Sequence, residues 1–290
     1  MPDIIDVSAS CGSHAGFFAG AGVKTVIRYY SRDTGRPSKR LSRQEARCFT
    51  SAGLRVGAVH EARRGDLIES FTKELGNLDG AHAQGYGASE IGQPAGSAIY
   101  FAVDLDASAA QIRDAVLPYF QGIADAFGAA VEGQPRYKVG VYGSGAACAA
   151  VLDAGLAELA WLAQSRGWAG FKAFQDSKRW SMRQLMQIRI DEVDCDPDEA
   201  NPERSEIGDF FLETPSEHET IISGAPLAVI ARDGLRLRSG PGTEFNVLRL
   251  IPNGTKVHPI KAVGDWTMVD LVGDLAADGF VNTHFLGPIA

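Results

Sequence analysis

No stretch of eighteen consecutive apolar residues occurs in this 290-residue chain, so a transmembrane helix, which needs about 20, is not expected. Basic runs and stripes are missing as well, and the net charge is −8. The main partner is therefore not expected to be a nucleic acid or a membrane surface, although an acidic protein still binds neutral or mixed-charge polymers such as glycans. Cysteine is scarce: Cys11, Cys48, Cys148 and Cys195 are scattered, with no CxxC pair and no histidine spacing suited to zinc. They read as ordinary thiols, and no metal or cofactor is expected. The opening residues Met-Pro-Asp-Ile-Ile-Asp have neither a basic n-region nor an apolar h-region, so synthesis in the cytoplasm without a Sec signal is expected. A target outside the cytoplasm then calls for a non-Sec route, such as holin-dependent lysis or a contact-dependent secretion machine.

What is present is a regular alternation. β-rich apolar runs at 4–8, 25–30, 55–61, 98–106, 138–143, 159–164, 182–186 and 192–194 are separated by Ala-rich helical stretches. The clearest helices are 42–52, opened by Ser42 with Glu45 three residues on, and 108–127, opened by Ser108. Up to eight βα units in about 200 residues predict an α/β fold, a small (β/α)8 TIM-like barrel with abbreviated last units. An open doubly wound sheet is the runner-up, weakened because no glycine-rich phosphate loop follows the first strand. After residue 208 the pattern breaks into acidic sequence containing Pro, Ser and Gly, read as a linker over 209–224. Residues 225–290 hold short alternating strands with turn signals at Ser239-Gly240-Pro241-Gly242 and Pro252-Asn253-Gly254, which predict a small all-β barrel.

In a (β/α)8 barrel the reactive groups come from the carboxyl ends of the strands. Here those ends offer Asp6, Arg28 and Tyr30, His60 and Glu61, Asp104 and Asp106, Tyr142, Gln164, and Asp194 with Asp196, and Tyr100 lies behind Asp104 on the same strand face. The fourth strand, ending in Asp104-Leu105-Asp106, carries two carboxylates at the close of a buried run. Their desolvation costs several kcal/mol unless partners offset it. No Ser–His or Cys–His pair sits at strand ends, which disfavours acyl transfer. Carboxylates ringed by Tyr, Trp161, Trp168 and Trp180 suit glycoside hydrolysis, where one acid must be protonated and another ionised while aromatic faces stack on sugar rings. Blander readings stand beside this one. Arg28 serves equally as a buried ion-pair partner, His60 as a core histidine, Trp161 and Trp168 as core, and Asp196 and Asp198 as turn residues. The Asp194–Asp198 stretch lacks the glycine and the glutamate of a calcium loop.

The motifs Ile4-Ile5-Asp6-Val7-Ser8, Tyr100-Phe101-Ala102-Val103-Asp104-Leu105-Asp106, Val139-Gly140-Val141-Tyr142-Gly143, Ala160-Trp161-Leu162-Ala163-Gln164 and Val193-Asp194 followed by Asn201 occur in the order of a known group. Over about 1–208 the chain resembles the glycoside-hydrolase-like domain of unknown function 1906. That group is related to the lysozymes of glycoside hydrolase family 25, which cleave between N-acetylmuramic acid and N-acetylglucosamine. By position the resemblance implies Asp6, Asp104 and Asp194 as site carboxylates. It also shows a departure: the lysozymes use glutamate as proton donor where this chain has Asp106, one methylene shorter. Either Glu61 shares the acid role or the glycosidase activity is altered or absent. The stretch Leu235-Arg236-Leu237-Arg238-Ser239-Gly240-Pro241-Gly242-Thr243, with Trp266 and Gly279-Phe280-Val281, resembles a bacterial SH3 domain. Trp266 is expected in its core.

Together these imply a lysozyme-like hydrolase of β-1,4 bonds in peptidoglycan, acting as an endolysin or a secreted antibacterial effector. Asp6, Glu61, Asp104, Asp106 and Asp194 would be catalytic, and Arg28, Tyr30, Tyr100, Tyr142, Trp161 and Gln164 would bind substrate. Expected partners are glycan strands, a stem peptide at the SH3-like domain, and an immunity protein or secretion machinery. The alternatives are a non-catalytic glycan-binding protein with a degenerate site, and an intracellular sugar hydrolase.

Overall fold

The computed structural model describes residues 2–61, 64–129, 137–204, 206–212, 219–221, 226–243, 245–273 and 277–289. They divide into two compact units, 1–212 and 213–290.

In the first unit the runs rich in Ile, Val and Tyr form seven parallel strands: β1 (Ile4–Asp6), β2 (Thr25–Tyr29), β3 (Arg55–His60), β4 (Ala98–Ala102), β5 (Lys138–Gly143), β6 (Leu159–Leu162) and β7 (Met182–Gln184). They pair in sequence order. All of β4 is buried, because one face of each strand packs inside the barrel and the other against the helices. The sheet closes through an eighth barrel strand that runs the other way. A short β8 (Ile188–Ile190) turns into β9 (Val193–Ala200), which pairs antiparallel with both β7 and β1, Ile5 lying opposite Pro197. The cause is the turn at Asp191 and Glu192, both left-handed (φ 45° and 65°): a two-residue hairpin leaves no length for a crossover helix, so the chain must reverse.

The helices cover the outside. Ser42 caps Arg43–Ser51 by accepting from the Glu45 amide at 3.1 Å. Ser108 and Gln111 form the reciprocal pair of a full capping box. Inside the barrel Ile4, Ile27, Val59, Tyr100, Trp161 and Met182 make a separate apolar core. Gly140 leaves room for it, since a Cβ there would lie 2.4 Å from the Tyr100 ring. Residues 209–212, assigned to the linker from sequence, lie against the barrel: Phe210 forms a bridge with Val56 and, like Leu212, is buried. Of the remaining linker residues only 219–221 fall among those described.

The second unit is all-β, with strands Glu219–Ile221, Leu227–Val229, Leu235–Arg238, Val247–Ile251, Lys256–Val263, Trp266–Asp270, Gly279–Asn282 and Leu286–Pro288. Alternate residues Leu235, Leu237, Ile251, Val257, Val269 and Val281 form its core. Arg238 pins the Ser-Gly-Pro-Gly turn by donating to the carbonyls of Thr243 and Phe245 at 2.9 and 2.8 Å. No helix among the described residues is long and apolar enough to cross a membrane.

Candidate functional site

Strand parity decides which side chains reach the barrel interior. Asp6 follows Ile4 inward, Tyr29 follows Ile27, Gln184 follows Met182, and Asp196 and Asp198 share the inward face of β9. At the carboxyl end these strands surround a cavity of about 230 Å³. Its wall holds three carboxylates, Glu61, Asp104 and Asp196, and four aromatic rings, Tyr29, Tyr142, Trp161 and Trp168. Gln164, Ser165 and Gln184 complete it.

Asp6 lies just beneath, 3% exposed. Gln184 Nε2 donates to one carboxylate oxygen at 2.7 Å and the Tyr29 hydroxyl to the other at 3.2 Å, while the Tyr142 hydroxyl donates to Gln184 Oε1 at 2.9 Å. Burial pushes Asp6 up to about 7; the Gln184 hydrogen bond opposes this and the Asp196 charge adds to it. Asp198, also buried, takes the indole N–H of Trp161 at 2.6 Å. Burial, then the neighbouring Asp6, hold its carboxyl well above the usual carboxylate range. Burial also raises Asp196, and burial with the nearby Glu61 raises Asp104 at the mouth. The site therefore combines carboxyl groups of raised proton affinity, Asp6, Asp104 and Asp196, with Glu61, which accepts from Lys39 Nζ at 2.7 Å. This separation of roles is what acid-assisted cleavage of an acetal requires.

Asp6, Glu61, Asp104, Tyr142, Trp161 and Gln164 thus gather at one place. Five other expected site residues do not. Asp106, beyond the end of β4, accepts from the backbone N–H of Ala169 at 2.8 Å and fastens the 165–170 loop that carries Trp168. Asp194 points to solvent on the β8–β9 hairpin, 3.7 Å from Arg189. Tyr100 lies deeper in the barrel and donates to the Ile207 carbonyl at 2.9 Å. Arg28 and Tyr30 face the helix layer: Arg28 binds Glu45 at 3.0 Å, and Tyr30 is wholly buried beside Tyr86. His60, on the same outer face, is a packed core residue. The sequence reading missed Tyr29, Gln184, Lys39 and Ser165, and it weighed Asp196, offered at a strand end, and Asp198 as turn residues, whereas both face inward. Only the last pair had a signal, the alternation Asp194-x-Asp196-x-Asp198, which fits a strand as well as a turn.

On the second unit Trp266 is half-buried rather than core, lining a groove with Leu250, Phe285, Arg236 and Arg238, whose guanidinium stands 6.0 Å from the indole ring.

Residues 17–200 match the family described as Rv2525c-like, glycoside hydrolase-like domain, and residues 233–287 match the bacterial SH3 domain. The Bacillus subtilis (strain 168) protein YbfG, described as uncharacterized, is 33% identical over 176 residues, which are 58% of this chain and 24% of that protein. FadG of the same organism, also described as uncharacterized, is 29% identical over 172 residues, 59% of this chain and 29% of FadG. The chain therefore spans only about a quarter of these relatives. The crystal structure of the Tat-secreted Mycobacterium tuberculosis protein Rv2525c in complex with L-tartrate aligns with a TM-score of 0.57 at 20% identity. It covers 71% of this chain and 97% of that one, a likeness of fold. With the family match running from the first helix to the closing strand of the barrel, this chain belongs to the Rv2525c-like glycoside hydrolase-like family, with a bacterial SH3 domain following.

Proposed function

We propose that the barrel hydrolyses β-1,4 glycosidic bonds of peptidoglycan and that the SH3 domain holds it on the cell wall. The observation that carries this reading is the cavity itself, where Asp104, with raised proton affinity, and Glu61, paired with Lys39, stand among Tyr29, Tyr142, Trp161 and Trp168. Asp104 donates a proton to the leaving oxygen, and Glu61 or Asp196 supports the oxocarbenium-like transition state or the attacking water. The aromatic rings take the sugar faces, and Asp6 beneath tunes the site electrostatically. The SH3 groove adds a second attachment that raises the effective concentration of the barrel at the wall. On this reading the chain acts outside the cytoplasm, as an endolysin or an exported antibacterial effector; a protein of the same fold is described as Tat-secreted.

A second reading is favoured by one particular: Asp106, at the position of the lysozyme proton donor, is tied to Ala169. A barrel that has lost this acid could bind glycan without cleaving it. Digestion of purified sacculi separates the two. New reducing sugar ends, with muropeptides carrying cut glycan termini by mass spectrometry, support hydrolysis. Tight sacculus binding without new ends supports the binding protein, and free amino groups alone indicate peptide or amide cleavage instead.

A further inference from the structure

Lys39 does not belong to any barrel strand, yet its ammonium group reaches the cavity wall. It donates to Glu61 Oε2 at 2.7 Å and lies 4.4 Å from the centre of the Tyr29 ring, with its side chain only 18% exposed. A free lysine side chain loses rotamer entropy when held this way, so something must fix where it starts. The short 3-10 turn Pro37–Lys39 that carries it is fastened from behind. Arg28, on the outer face of β2, is fully buried and donates Nη2–H to the Ser38 carbonyl and Nη1–H to the Lys39 carbonyl, both at 3.0 Å. Its Nε and Nη2 also bind the two carboxylate oxygens of Glu45 at 3.0 and 3.3 Å, and Nη1 binds the Val7 carbonyl. All five guanidinium N–H groups therefore have acceptors. Glu45 in turn accepts from the Cys11 amide at 2.8 Å. The clamp ties together the strand, the capped helix Arg43–Ser51 and the turn.

We propose that Lys39 is a positioning residue of the candidate site, set over Tyr29 and onto Glu61 by the buried Arg28–Glu45 clamp, and that it orients Glu61 and sets the charge opposite Asp104. The proposal takes its reaction, but not its geometry, from the glycosidase reading. Lys39 meets Glu61 after β3 and the Tyr29 ring on β2; Asp104 after β4 feels Glu61, Lys39 and Asp66, while Asp6 on β1 feels Asp196 on β9 and Glu61. Among the described residues Lys39 is a cation brought against these acids at the wall. It draws the proton affinity of Asp104 down while burial and Glu61 push it up. Removing it leaves Glu61 without its ion-pair partner beside a second carboxyl group.

The test is a carbon-detected NMR titration of the Asp104 carboxyl group in the full chain, which does not depend on turnover. In Lys39→Met the midpoint of Asp104 rises, and Lys39→Arg returns it towards wild type. Arg28→Lys loosens the turn and moves Asp104 in the same direction by less; where that variant does not fold, Glu45→Gln replaces it. An unchanged midpoint in Lys39→Met overturns the proposal. A folded clamp variant with a wild-type midpoint overturns the part assigned to Arg28 and Glu45. If the wild type releases no reducing ends while Lys39→Met still shifts Asp104, the glycosidase reading fails and this one stands. Where turnover is present, the alkaline limb of its pH profile, set by loss of the Asp104 proton, moves up with Asp104.

Discussion

The indole N–H of Trp161 and Oδ1 of Asp198 are 2.6 Å apart, which joins a ring of the cavity wall to a carboxyl group buried in the closing strand. Oδ2 of Asp198 has no hydrogen-bond partner among the described residues. Burial, then the neighbouring Asp6, raise its proton affinity and favour the neutral acid. Asp198→Asn, neutral and of the same shape, is expected to change stability at pH 7 by less than about 1 kcal/mol. Trp161→Phe removes the donor and costs about 1–3 kcal/mol. Denaturant melts of the two variants check the ordering.

Two buried groups give opposite pH dependences. Asp6 in the folded chain titrates near 7 against an ordinary 3.8, so the folded state binds the extra proton and this contribution is lost as pH rises from 4 through 7. His60, fully buried, is pushed down to about 4 chiefly by desolvation. The unfolded state then binds the extra proton, so stability is lost as pH falls from 6.5 towards 4. Asp6→Asn should gain on wild type above pH 6, and His60→Phe should gain on it below pH 5, each by roughly 2–4 kcal/mol at most. Denaturant melts at pH 4.5, 6 and 7.5 read both.

Asp106 is predicted to act through the loop it fastens. Asp106→Asn keeps the acceptor oxygen for Ala169 and should keep most of any turnover, whereas Asp106→Ala should lose about 1 kcal/mol of stability and part of the activity. A complete loss of turnover in the asparagine variant, with normal melting, would instead make Asp106 the proton donor.

Arg28 is predicted to be structural. Arg28→Lys keeps the charge but gives up the planar fork and several donors, for a loss of about 2–3 kcal/mol in denaturant melts, with sacculus affinity unchanged. An unaltered melt with weakened sacculus binding would return Arg28 to the substrate.

The barrel was legible because its strands are nearly uninterrupted apolar runs and its helices carry ordinary caps, Ser42 and Ser108 among them. The reversal of β9 was not. Asp191 and Glu192 adopt the left-handed turn without the glycine or asparagine that usually announces it. Pro197 added to the turn-like reading, and with it Asp196 and Asp198 were misplaced. Arg28 and Tyr30 exchanged places with Tyr29 for a different reason. Barrel strands are buried on both faces, so the alternation that separates inside from outside in a half-exposed sheet is absent from β2. Lys39 gave no sequence signal, since its place depends on contacts made by Arg28 from another element.

The most direct test of the central claim, that the cavity acids and not the sequence-adjacent ones do the chemistry, is release of reducing ends from sacculi by Asp104→Asn beside Asp194→Asn. Removing a general acid costs roughly 10²–10⁴ in rate, so the account predicts near-silence from Asp104→Asn and wild-type release from Asp194→Asn, both folded. Full activity in Asp104→Asn, or its loss in Asp194→Asn, would contradict it.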